Sequence, residues 1–190
     1  MSALPSRYGI GDLGPAAFQF ADLLTRTNQR LWQVLPAGPI GPGASPYSSP
    51  STFAGNPLLI SPEPLVEDGL LTEDDLAPLT ALPDDHVDYA RLVPRKRTVL
   101  RTAFERFRAD ASTADAARIR RFQETQSAWL DDYALYAALK DAHEGATWTE
   151  WESALARRDP DALQRARDEH ETAIDRHVYW QYLFHRQWTA

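Results

Sequence analysis

The chain has 190 residues, 20 Lys and Arg against 27 Asp and Glu, a formal charge of −7, and no cysteine. That length holds one domain, or one domain with a small insert, and the missing cysteines exclude a disulfide scaffold, a thiolate zinc site and a cysteine nucleophile. The acidic balance argues against nucleic acid, which is bound by clustered Lys and Arg; no apolar run approaches the ~20 residues of a membrane span. Met1-Ser2-Ala3-Leu4-Pro5 lacks the basic-then-apolar pattern of a secretory signal, so a cytoplasmic chain is expected.

The first helix is predicted from Gly14-Pro15, with Pro15 at an early helical position where its missing N–H costs nothing. Phe18, Ala21, Leu24 and, on the flank, Phe20 form its apolar face, and it fades near Asn28. Arg30-Leu31-Trp32-Gln33-Val34-Leu35-Pro36 then reads as a short buried strand closed by proline. Helix, turn and buried strand in succession signal an α/β unit with parallel strands.

Punctuation is concentrated next: eight of the 14 prolines and four of the nine glycines lie between Pro36 and Pro64. Within that loop-dominated tract, Asn56–Ile60 is expected to be extended, and Pro64–Asp68 to be a brief helix stopped by Gly69. From about Arg95 onward only Pro160 and Gly145 interrupt, and three helices are predicted. Val99, Phe104 and Phe107 mark the first; Ile119, Phe122, Trp129, Tyr133 and Tyr136 mark the second. The third opens at Asp159-Pro160, an N-cap followed by Pro at the first helical position, and runs to Trp188. One parallel strand cannot make a sheet, so the pattern points to a helical insert in a larger barrel or to a chain that is part of one.

Acid–base chemistry has few candidates. The doublets Asp74-Asp75, Asp84-Asp85 and Asp131-Asp132 fall at turns and helix edges and read as solvated charge. Asp12, in a glycine turn, reads as an Asx-type turn or capping residue. His170 and His177 lie seven residues apart on one helix face, too far for both to hold one metal, and read as packed histidines. Gly9, Gly11 and Gly14 have GxGxxG spacing, but no strand precedes them as a nucleotide site requires. No metal and no cofactor are expected.

The most informative stretch runs from Gly41 to Pro57, directly after the predicted strand. In α/β barrels the loop after a strand lies on the catalytic face. Proline-stiffened and presenting Tyr47 among Ser45, Ser48, Ser49 and Ser51, it suits a sugar: an aromatic ring covers the C–H face of a pyranose while hydroxyls pair with its hydroxyls. A rigid surface loop with Tyr47 capping the core fits the same residues, and chemistry alone leaves both open.

Four blocks resemble the amylomaltases, a family of 4-α-glucanotransferases. They are Leu4-Pro5-Ser6-Arg7-Tyr8-Gly9-Ile10-Gly11-Asp12-Leu13-Gly14, Leu31–Pro36, Ser45-Pro46-Tyr47 and Phe53-Ala54-Gly55-Asn56-Pro57-Leu58-Leu59-Ile60. The helical remainder, including Trp129–Tyr136 and Phe184–Trp188, is similar to the family's insert. The resemblance implies the α/β class: an incomplete (β/α)8 barrel over 1–94, carrying a substrate loop at 36–64, then a mostly α-helical inserted subdomain over 95–190. It implies transfer of α-1,4-glucan segments and maltooligosaccharides to a sugar 4-hydroxyl through a retaining covalent intermediate, with no cofactor, metal, nucleic acid or membrane. By resemblance Tyr47 stacks on the sugar at the bond-breaking subsite, Ser45 hydrogen-bonds nearby, and Gly55, Asn56 and Pro57 shape the loop. The family's catalytic Asp and Glu follow in later strands, so no catalytic residue is expected in this chain, and the chain alone is expected to be inactive. Some members carry a surface glucan site built on two tyrosines; Pro42 and Val93 stand at the matching positions, and that site is not expected here. A standalone helical sugar-binding or interaction module is the alternative reading.

Overall fold

A computed structural model describes all 190 residues, Met1 to Ala190. The chain divides into two compact units: Met1–Ser112 with Leu183–Ala190, and Thr113–Tyr182. Neither contains a β-strand.

In the first unit, α1 spans Pro15–Arg26, with Pro15 opening the helix after Gly14. Its apolar stripe is largely uncovered: Ala17 alone is buried, and Phe18 is 48% exposed. The predicted buried strand over 30–36 does not form. Those residues are irregular, Leu31 is 90% exposed, and Trp32 leans on Phe20 at 4.8 Å between ring centroids. A strand exists only as a rung of a ladder, and this segment has no ladder partner here. The extended reading of 56–60 is also corrected. Asn56 Oδ1 accepts the Leu58 N–H at 3.0 Å, and Pro57 presets φ, so Pro57–Leu59 closes into a 3-10 turn.

Beyond α2 (Glu63–Glu67), helix α3 (Glu73–Thr80) was not expected from the pattern. Its start is a reciprocal cap: the Thr72 hydroxyl accepts the Asp75 N–H, and Asp75 Oδ2 accepts the Thr72 N–H at 2.7 Å. Asp75 is therefore not the solvated charge that its doublet suggested. It also takes a two-pronged hydrogen bond from Arg106, at 2.5 and 3.1 Å. Arg106 lies on α4 (Tyr89–Asp110), a helix that continues through Pro94, so residues 94 and 95 lie within one element. Leu76 and Leu79 of α3 and Leu92, Val99, Leu100 and Phe104 of α4 join Ile60 and Leu65 in the core. Full burial of each such side chain is worth roughly 1.5–3 kcal/mol. The end of the chain is held in this unit by Gln187, whose side-chain amide pairs with both backbone groups of Ser61, at 2.7 and 2.9 Å.

The second unit holds α5 (Thr113–Gln126), α6 (Leu130–Ala142), α7 (Ser153–Ala156) and α8 (Pro160–Glu169), with most of α9 (Glu171–Trp188). Two predicted helices are each split. The second pattern breaks at 127–129, where Ser127 Oγ donates back to the Glu124 carbonyl and Trp129 Nε1 donates to Gln126 Oε1. The third breaks at His170, whose N–H closes α8 onto Ala166 while its carbonyl accepts the Ala173 and Ile174 amides of α9. A one-residue interruption leaves apolar periodicity almost unchanged, so it is invisible to pattern. Asp159 caps α8, its Oδ1 accepting the Asp161 and Ala162 amides. Phe122, Leu130, Ala134 and Val178 form one buried cluster; Leu135, Leu139, Trp151 and Ala166 form another.

Candidate substrate loop

The proline–glycine tract folds into a loop tied at its base, where the Asn56 N–H donates to the Ala37 carbonyl at 2.8 Å. Inside it the Gly41 N–H donates to the Ser45 carbonyl at 3.0 Å, and a β-carbon on Gly41 would lie 2.0 Å from the Ser48 carbonyl oxygen. Only glycine permits that approach. Gly43 and Ala44 continue the bend in the left-handed region, at φ 68° and 58°.

The loop serines hold it in shape. Ser45 Oγ accepts the Tyr47 N–H at 3.3 Å, at the head of the Pro46–Ser48 3-10 turn. Ser49 Oγ donates to the Ser51 carbonyl at 2.8 Å, and Ser51 Oγ accepts the Phe53 and Ala54 amides at 3.2 and 3.1 Å. The picture of a row of serines turned toward a ligand is therefore corrected: Ser49 and Ser51 are engaged inside the loop. Ser45 and Tyr47 are brought together, and the Tyr47 ring is 75% exposed. At the far end Gly55 lies against the Phe184 ring, where a β-carbon would meet Cδ1 at 2.0 Å. Asn56 and Pro57 then turn the chain into the core.

The loop from Ala37 to Asn56 contains no Asp, Glu or His. It can bind and orient but cannot protonate a leaving group. No group of three or more His, Asp or Glu side chains is placed to hold a metal ion. His177, buried at 4% exposure, is paired with Asp141 at 3.0 Å.

Pattern reasoning missed a buried charge pair in the first unit. Asp12 Oδ1 accepts the Gly14 N–H at 3.0 Å in an Asx-type turn, and burial pushes its carboxyl pKa up against the pull of Lys96. Lys96 is wholly buried, and desolvation lowers its ammonium to about 8, with Asp12 opposing the shift. The signal lay in the sequence: Lys96 occupies the apolar stripe of α4, between Leu92 and Leu100 at four-residue steps. Tyr8 is raised to about 12 by burial and by Glu63, which accepts its hydroxyl at 3.3 Å.

A family model described as 4-alpha-glucanotransferase matches residues 1–190. The chain is 43% identical over 187 residues to a 4-alpha-glucanotransferase of Synechocystis, covering 98% of this chain and 37% of the relative. A Thermus thermophilus 4-alpha-glucanotransferase is 41% identical over 189 residues, covering 100% and 37%. Among solved structures, an amylomaltase from Streptococcus agalactiae in complex with acarbose superposes with a TM-score of 0.93 at 33% identity, over 99% of this chain and 38% of that one. The chain thus spans little more than a third of the length of these relatives.

Proposed function

The chain belongs to the 4-alpha-glucanotransferase family, and we propose that it supplies the donor-sugar loop of an enzyme that moves α-1,4-glucan segments onto a sugar 4-hydroxyl. The observation that carries this is Tyr47, 75% exposed on a loop tied at Ala37–Asn56 and again at Gly41–Ser45. An aromatic face held this way covers the apolar face of a pyranose without first having to be ordered. The Ser45 hydroxyl, two residues away, hydrogen-bonds the same sugar.

The chemistry is the retaining two-carboxylate scheme. A carboxylic acid protonates the leaving oxygen, a carboxylate forms the glycosyl-enzyme, and a sugar hydroxyl rather than water accepts the glycosyl group. Neither carboxyl group belongs to this chain in this reading, so the 190 residues bind donor sugar and position it but do not cleave it. The N-terminal residues form part of a (β/α)8 barrel, and the helical unit Thr113–Tyr182 is its insert. Along 31–35 exposure alternates, with Leu31, Gln33 and Leu35 outward and Trp32 and Val34 half-buried. That is the period of a strand awaiting its neighbours.

The test uses the chain alone and a chimera in which it replaces the matching segment of the Synechocystis relative. With maltotriose, the chimera should yield glucose and longer oligosaccharides and the chain alone should yield neither. Products from the chain alone, or an unchanged turnover in the Tyr47→Ala chimera, would overturn the reading.

A further inference from the structure

A cleft of about 370 Å³ opens in the second unit between α6 and the α7–α8 segment. Its floor is apolar, with Leu139 and Trp151 in the buried cluster, and Tyr136 and Trp148 stand at its walls. Trp151 is fixed: its Nε1 donates to the Ala146 carbonyl at 3.2 Å, and its ring stacks on His143 at 5.2 Å and 17°. Lys140 Nζ donates to the same carbonyl at 2.9 Å, so the turn carrying Trp148 is anchored from two sides. Trp148 itself stays 53% exposed.

The rim is polar in a specific way. Arg158 donates to Asp132 Oδ2 at 2.8 Å, while Asp132 Oδ1 faces Arg167 only at 3.8 Å. Both partners of the short pair are more than half exposed, at 65% and 57%. An ion pair that exposed adds little to stability, so stability accounts for little of this arrangement. The geometry leaves planar donors on Arg158 and free lone pairs on Asp132 at the mouth of an aromatic cleft. A pyranose presents an apolar C–H face flanked by hydroxyls that both donate and accept. A single pyranose can use the apolar floor and the polar rim together, and the volume lies in the range of small-molecule sites.

We propose that this cleft is a carbohydrate site, with a glucose unit stacked on Trp148 and its hydroxyls bridging Asp132 and Arg158. The sugar class is read from the cleft; the choice of an α-1,4-linked chain rests on the function proposed above. The site would hold a long glucan away from the substrate loop and raise its local concentration.

Maltoheptaose titrated into the isotope-labelled 190-residue chain, with backbone amide shifts followed, tests this. Shifts should appear at Asp132, Trp148 and Arg158, and Trp148→Ala should weaken that binding about tenfold, with Trp148→Phe recovering part of it. Asp132→Ala, on an exposed side chain, should weaken the same shifts and serves as a second variant. Absence of shifts at those residues, or unchanged affinity in both alanine variants, would overturn the site. So would an apolar dye bound beside Trp148 that maltoheptaose fails to displace, which would mark a seat for polypeptide. Equal binding of cellohexaose would overturn the α-linkage. Loss of transfer by the chimera with the Trp148 shifts intact would sink the proposed function and leave this site standing.

Discussion

The ammonium of Lys96 and the carboxylate of Asp12 are both enclosed in the first unit, and they stabilise each other through space rather than by a hydrogen bond. Lys96 Nζ and Asp12 Oδ2 each lack a hydrogen-bond partner, and each group's pKa is pulled back toward its charged form by the other. Burying one of these charges alone would cost several kcal/mol, so the two depend on each other.

Removing one partner should therefore be worse than removing both. Asp12→Asn, which keeps an oxygen for the Gly14 N–H, strands the Lys96 ammonium and is expected to cost roughly 3–5 kcal/mol. Adding Lys96→Met, which removes that ammonium, should recover most of that loss. Urea melts of the two single variants and the double variant measure the coupling directly; additive losses would refute it.

The same pair sets an alkaline pH dependence. Lys96 titrates near 8 in the folded chain and near 10.5 when unfolded. Between those values the unfolded state holds more protons, so stability should rise with pH from about 8 to about 10. Tyr8 acts in the opposite direction: raised from 10 to about 12, it makes stability fall as pH climbs through that interval. Melting temperatures against pH should show a maximum near 10, and the rise below it should vanish in Lys96→Met.

Acid sensitivity is expected at the head of α3. Hydrogen bonds from Arg106, then from Thr72, hold Asp75 at about 2, below its usual 3.8. Its contribution is present above pH 4 and is lost as pH falls through 2. Asp75→Asn should lower the melting temperature at neutral pH and flatten the decline between pH 4 and 2. Thr72→Ala should cost about 1 kcal/mol through the lost cap.

Gly55→Ala should destabilise the chain by roughly 1–3 kcal/mol through overpacking. The added methyl group would meet the Phe184 ring at 2.0 Å, and that ring is carried by a helix. Phe184→Leu in the same chain should restore part of the loss. A Gly55→Ala variant as stable as the parent would show that the ring yields freely.

Stacking and hydroxyl chemistry at Tyr47 are separable. In the chimera, Tyr47→Phe should retain most transfer from maltotriose, while Tyr47→Ala should lose it about tenfold or more. Equal losses in both variants would assign the role to the hydroxyl rather than to the ring.

The sequence by itself determined what depends on near neighbours. Pro15 starts α1 and Asp159-Pro160 starts α8, because caps and proline act within a few residues. The proline, glycine and serine content of 37–56 was legible as a loop, with the exposure of Tyr47 left to the fold, and the motif blocks were legible as family. Tertiary structure decided the rest. Whether 30–36 is a strand depends on a partner strand, which no local pattern supplies. The resemblance puts a boundary beside Pro94, and α4 runs through that residue with its apolar stripe packed on both sides of it. The place of Lys96 in an apolar stripe is visible in the sequence, but that Asp12 is enclosed with it only the fold decides. The Trp148 cleft likewise joins α6 to a turn and two later helices, residues scattered from Asp132 to Leu163 that only folding assembles.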